Sequence, residues 1–187
     1  MSGHHDPIAV LGHEHKFIKK VVAALDRLAS STERAAAASP DRLREIIRFM
    51  REFADRCHHA KEEDVLFPAM EKKGVPEAGC PLGALRIEHQ QGRALVTALA
   101  EATEALAAHK SEAADTIAET VREITELYTN HIWKEDEMVF PMVGRLFSDD
   151  ERAALFEEFE KAEDEIGADH EALVSFADAL DQRITAT

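Results

Sequence analysis

His58-His59-Ala60-Lys61-Glu62-Glu63-Asp64-Val65-Leu66-Phe67-Pro68 and His131-Ile132-Trp133-Lys134-Glu135-Asp136-Glu137-Met138-Val139-Phe140-Pro141 are one stretch written twice. Five positions are identical (His, Lys, Glu, Phe and Pro), at an offset of 73 residues. Upstream, Leu11 to Glu14-His15 matches Leu85 to Glu88-His89 at an offset of 74. The chain therefore reads as two copies of one helical hairpin. Each copy carries a His early in its first helix and His-x-x-x-Glu late in its second.

The helices follow from the apolar spacing around these stretches. Helix one opens at Asp6-Pro7, an N-cap followed by a proline at the first helical position. Its stripe is Ile8, Leu11, His15, Ile18, Val22, Leu25 and Ala29, in alternating steps of three and four. Helix two opens at Ser39-Pro40, and Pro68 is expected to kink or end it. Helix three spans roughly Pro81 to His109, with the stripe Leu82, Leu85, His89, Gly92, Val96, Leu99, Thr103 and Leu106. Helix four spans roughly Ser111 to Phe140, with Ile117, Val121, Ile124, Tyr128, His131, Glu135 and Met138. Ser148 and Glu151 form a capping box that opens a C-terminal helical segment, with a break expected near Gly167. That segment carries Leu155, Phe156, Phe159, Ile166, Leu173, Phe176 and Leu180. The expected organisation is a bundle over residues 1–146 and a helical extension over 147–187, packed on the bundle or at an oligomer contact.

Composition agrees. The chain has 187 residues, 45% of them hydrophobic, enough for one domain with a real core. Eight Gly and six Pro leave little punctuation, and few aromatics argue against a sheet. A net charge of -15 offers no basic stripe for phosphates, so nucleic-acid binding is disfavoured. No apolar run approaches the roughly 20 residues a membrane span needs. Met1-Ser2-Gly3-His4-His5-Asp6 does not resemble a signal peptide, and Cys57 and Cys80 do not suggest a disulfide framework. A cytoplasmic protein is expected.

Residues four apart stack on one helix face. His58 with Glu62, and His131 with Glu135, are such pairs, and the second lies inside an apolar stripe. A carboxylate there is costly unless it is paired or bound to a cation. Heights agree too. With turns near residues 35 and 110, His15 lies 20 residues before the first turn and His58 23 after it. His89 and His131 each lie 21 residues from the second. At about 1.5 Å per residue, antiparallel hairpins bring His15, His58, Glu62, His89, His131 and Glu135 to one layer. Six side chains exceed a tetrahedral site and point to two metals. Imidazole and carboxylate donors with open positions suit iron and oxygen chemistry, although manganese or zinc fits the same donors.

These residues, with the Phe-Pro after each pair, resemble the hemerythrin-like family of HHE cation-binding domains over roughly residues 7 to 146. The resemblance implies an all-α, up-down-up-down four-helix bundle. It also implies a carboxylate-bridged centre of two non-heme iron ions, joined by an oxo or hydroxo group. Dioxygen, peroxide or nitric oxide is then the expected small partner. The oxygen carriers of the family have a second His four residues after the one on helix three; here that residue is Arg93. They also take an Asp that aligns with Asp136, whereas the internal repeat favours Glu135. Binding or sensing of a small oxidant is therefore expected first. An enzyme turning over peroxide or nitric oxide, or a zinc-bound structural bundle, is the alternative.

Neighbouring residues divide by face. His59 and Glu63 share a face with Glu52, Asp55 and Arg56 that is expected to be solvated, so His58 is preferred over His59. Glu63 and Asp136 are minor ligand candidates. Tyr128 and Trp133 are expected to pack near the site, Tyr128 also as a donor to a ligand. Cys57 reads as a small core residue, His170 as a packing residue of the tail, and His4, His5, His13 and His109 as exposed.

Overall fold

The computed structural model describes residues 6–79, 81–166 and 169–184. His4, His5, Cys80, the side chain of Ile166 and the expected break at Gly167 lie outside them. The described residues are helical, with no strand among them.

Helix α1 (Pro7–Ala29) starts where expected, its Asp6 side chain accepting the amide of Ile8. A short α2 (Thr32–Ala37), capped by Ser31, occupies the first turn. Helix α3 (Pro40–Phe49) continues through π-helical turns at Met50–His59 and Lys61–Leu66 into α4 (Phe67–Lys72). The second copy repeats this plan. Helix α5 (Leu82–Ala107) is followed by α6 (Ala113–Lys134), a π turn at Glu135–Val139 and α7 (Phe140–Leu146). Helix α8 (Asp149–Ile166) opens on the capping box, with Glu151 accepting from the Ser148 amide, and α9 (Asp169–Ile184) follows.

Pro68 does not end the second helix. A proline inside an α-helix collides with the carbonyl four residues back. Here a wider turn, holding about one extra residue, precedes it and relieves that collision. Pro141 follows the Glu135–Val139 turn in the same way. The widening also corrects the fourth stripe: Met138 is 43% exposed and Val139 is fully buried in its place.

α5 packs on α6 and α3, and α1 packs on α6 and α9. The apolar core forms two clusters. One contains Ile18, Leu25, Phe49, Phe53, Val96, Ile124 and Leu180. The other contains Leu11, Leu66, Phe67, Leu85, Val139, Phe140 and Phe159. Burial of each such side chain contributes about 1.5–3 kcal/mol. Along α1 the clusters are separated at His15, between Leu11 and Ile18; along α5, at His89, between Leu85 and Val96. A polar layer thus crosses the middle of the core.

α8 and α9 lie against the first copy. α9 packs on α1, and α8 on the Lys61–Leu66 turn and on α1. The His170 ring stacks on Phe53 at 5.3 Å, as a packing residue.

Candidate metal centre

His15, His58, Glu62, His89, His131 and Glu135 meet in the polar layer, each at most 3% exposed. They form two overlapping groups. His15, His58, Glu62 and Glu135 bring one ligand atom each within 4.8 Å of one another, and so do Glu62, His89, His131 and Glu135. Both groups share the two glutamates. Glu135 places Oε2 3.1 Å from His15 Nε2 and Oε1 3.0 Å from His131 Nε2. Glu62 places Oε1 3.8 Å from His58 Nε2 and Oε2 3.4 Å from His89 Nε2. Each carboxylate thus spans the two imidazole pairs.

Despite these short approaches, all four oxygens of Glu62 and Glu135 are buried without a hydrogen bond of acceptable geometry. Two buried carboxylates without hydrogen bonds cost several kcal/mol each unless cations, whether protonated imidazoles or bound metal ions, lie beside them. The Nε2 atoms pair off as cis ligands would, with His15 and His58 3.1 Å apart and His89 and His131 3.2 Å apart. The donor set fits divalent or trivalent metal cations.

The outward nitrogens are equally ordered. Nδ1 of His58 meets Glu14 at 2.8 Å, and that of His131 meets Glu88 at 3.0 Å. Nδ1 of His89 meets Glu63 at 2.6 Å, and that of His15 meets Asp136 at 2.7 Å. A carboxylate behind each imidazole fixes the tautomer that leaves Nε2 free for a metal. Each carboxylate in turn holds a cation: Lys61 on Glu14, Lys134 on Glu88, Arg93 on Glu63 and Lys19 on Asp136.

Burial alone would raise Glu14, but the His58 hydrogen bond and the Lys61 charge hold it at about 2. Against burial, His89 and Arg93 likewise hold Glu63 at about 2. Burial lowers His89 and His131, yet the facing carboxylates outweigh it and raise them to about 11 and about 9. Burial, with Glu14 beside it, pushes the Cys57 thiol up to about 12, as suits a buried core residue.

The sequence profile of the hemerythrin HHE cation binding domain matches residues 6–143. The chain belongs to that family. The chain is also 30% identical, over 157 residues, to the uncharacterized proteins Rv1995 of Mycobacterium tuberculosis and Mb2018 of Mycobacterium bovis. That alignment covers 82% of this chain and 59% of each relative, so the chain spans about three fifths of their length. The family is described as a cation binding domain, and buried His and Glu clusters that could hold metal ions are present among the described residues.

The structure corrects several expectations about the residues around these six. His59 is not on a solvated face: it is 3% exposed, and its ring stacks on His89 at 4.0 Å. The π turns over Met50–His59 rotate it inward, which a period of 3.6 does not anticipate. Trp133 is 59% exposed, because two residues past His131 is nearly the opposite helix face. Tyr128 packs its ring 6.1 Å from His59 and 6.4 Å from His131. Glu63 and Asp136 stand behind imidazoles rather than facing the shared carboxylates. Sequence spacing alone does not reveal that Glu14, Glu88, Lys61 and Lys134 stand behind the imidazoles. The signal was the repeat itself, which holds these residues at matching positions where an apolar stripe has no need of charge.

Proposed function

We propose that the centre holds two iron ions and binds or senses a small oxidant: dioxygen, peroxide or nitric oxide. His15 and His58 would hold one ion and His89 and His131 the other, with Glu62 and Glu135 placed to serve both. The observation that carries this reading is the pair of fully buried glutamates, all four oxygens without hydrogen bonds, each spanning two imidazole pairs. One ion could not reach all six donors, and two ions leave coordination positions open for a small ligand. When bound, iron supplies reversible one-electron chemistry and affinity for such ligands. The protein supplies fixed tautomers, a dry apolar surround and charge balance through its outer ring of carboxylates and cations.

In this reading residues 1–146 form an up-down-up-down four-helix bundle, and 147–187 are an extension that covers its first half. The packing of α1 on α6, α6 on α5 and α5 on α3 supports that arrangement. No described helix is long and apolar enough to cross a membrane, and we place the protein in the cytoplasm, with no nucleic-acid partner.

The test is iron content together with the optical spectrum of anaerobically reduced protein before and after air. Two irons per chain and a new near-ultraviolet ligand-to-metal band on oxygenation support the reading. One iron or fewer per chain, or no spectral change with dioxygen, peroxide or nitric oxide, overturns it.

A further inference from the structure

Helices α8 and α9 form a cleft against α1, and their part of its wall lies beyond residue 143, where the family match ends. The cleft holds about 620 Å³, within the roughly 300–1,000 Å³ of small-molecule sites. Ala9, Val10 and Phe17 of α1, Phe156 of α8 and Val174 of α9 give it an apolar wall. Four carboxylates, Asp6, Glu14, Glu163 and Glu171, also line it, and among the described residues no lysine or arginine does. Lys61, buried beneath, is held by Glu14 and Glu163 and offsets one of those four charges. His170 adds an Nε2 that is buried without a hydrogen bond. One of its ring nitrogens lies within 4.8 Å of carboxylate oxygens of both Glu14 and Glu163. The corresponding groove of the second copy, beside Glu88, is built differently. It is lined by α5 and α6 alone, has Gln91 in the place of Phe17 and includes Lys134.

We propose that the cleft between α1, α8 and α9 binds a small organic cation: an ammonium centre on an apolar body of one ring or a short alkyl chain. The apolar wall takes the body out of water. The surplus of carboxylates attracts the cation and repels an anion of the same shape. A bare metal ion is the poorer match. Lys61 already sits between Glu14 and Glu163, and the apolar wall offers a metal no donor. The site is separate from the two-ion reading and stands without it.

The test titrates the full chain with three probes of similar size, followed by calorimetry and by amide nuclear magnetic resonance shifts. Benzyltrimethylammonium is the cation, 3-phenylpropan-1-ol the neutral probe and 3-phenylpropionate the anion. The quaternary cation has no lone pair for a metal, so its binding reports on the cleft whatever the metal centre holds. The cation is expected to bind at least tenfold more tightly than the alcohol, the anion not measurably, and the shifts to map to α1, α8 and α9. Ala9 and Glu171 are exposed, so changes there spare the core. Ala9→Trp fills the cleft and Glu171→Lys reverses a charge on its wall, and each should weaken the cation by tenfold or more. Should Ala9→Trp not fold, Glu171→Lys decides. No binding of the cation, equal or tighter binding of the alcohol, or wild-type affinity in the folded variants overturns the proposal.

Discussion

His15 Nδ1 and the Asp136 carboxylate, 121 positions apart in sequence, meet at 2.7 Å. The contact joins the first helix of one copy to the last of the other, and His89 with Glu63 makes the reciprocal contact at 2.6 Å. His58 with Glu14 and His131 with Glu88 close the two hairpins internally. The centre therefore has an approximate two-fold character in its supports, broken where the C-terminal helices cover one side.

That break separates two matched substitutions. Lys61 is fully buried between Glu14 and Glu163, whereas Lys134, on Glu88, is 34% exposed. Glu14→Ala leaves a buried cation short of a partner and costs about 3 kcal/mol of stability. Glu88→Ala leaves a solvated lysine and costs about 1 kcal/mol or less. Both remove the carboxylate behind an imidazole and weaken metal binding by roughly 10–100-fold. Urea denaturation of metal-free protein and competition with a chelator measure the two effects. Equal stability losses would contradict the burial argument.

The imidazoles predict a pH dependence that metal should abolish. In metal-free protein His89 and His131 are raised to about 11 and about 9, above the ordinary 6.5. Their protonation stabilises the fold fully below about pH 6.5, and that contribution is lost as pH rises through about 9 and then about 11. Chelator-treated protein is expected to lose midpoint temperature from pH 7 to pH 10. Metal-loaded protein is not, since its imidazoles are already deprotonated. Metal uptake at pH 7 should release protons, and affinity should rise with pH. Calorimetric titration in buffers of different ionisation enthalpy counts the protons.

The π turn at Glu135–Val139 can be tested by exchanging the faces it defines. Met138 is 43% exposed and Val139 is fully buried. Met138→Asp should change stability by no more than about 0.5 kcal/mol. Val139→Asp buries an unpaired carboxylate, costs several kcal/mol and should prevent folding. Thermal melts of the two variants check this, and the reverse order would restore an unbroken α-helical register.

Phe53 joins the bundle to its C-terminal helices. It is fully buried, stacks on Phe49 at 4.8 Å and carries His170 on its face. Phe53→Ala should cost about 3–5 kcal/mol. It should leave metal stoichiometry unchanged, because its ring partners Phe17, Phe49 and His170 are not among the six converging side chains. Denaturation and metal analysis of one preparation would show whether the two properties separate.

Much of this was readable from the chain. Periodicity placed the long helices and the Ser148–Glu151 cap, because both depend on residues within one or two turns. The repeat singled out the six side chains that come together, because matching offsets from two turns put them at one height. The helical class, the family and the paired His-x-x-x-Glu pattern are properties of local spacing, and the sequence by itself determined them. The burial of His59, the exchange of Met138 for Val139 and the passage of the helix through Pro68 were decided by π turns, whose widening shifts every later residue around the helix. The carboxylate behind each imidazole was decided by packing alone: Glu63 faces His89, and Asp136 faces His15, only when two separate hairpins dock. Such pairings depend on the relative rotation of whole helices, which no spacing within one helix encodes.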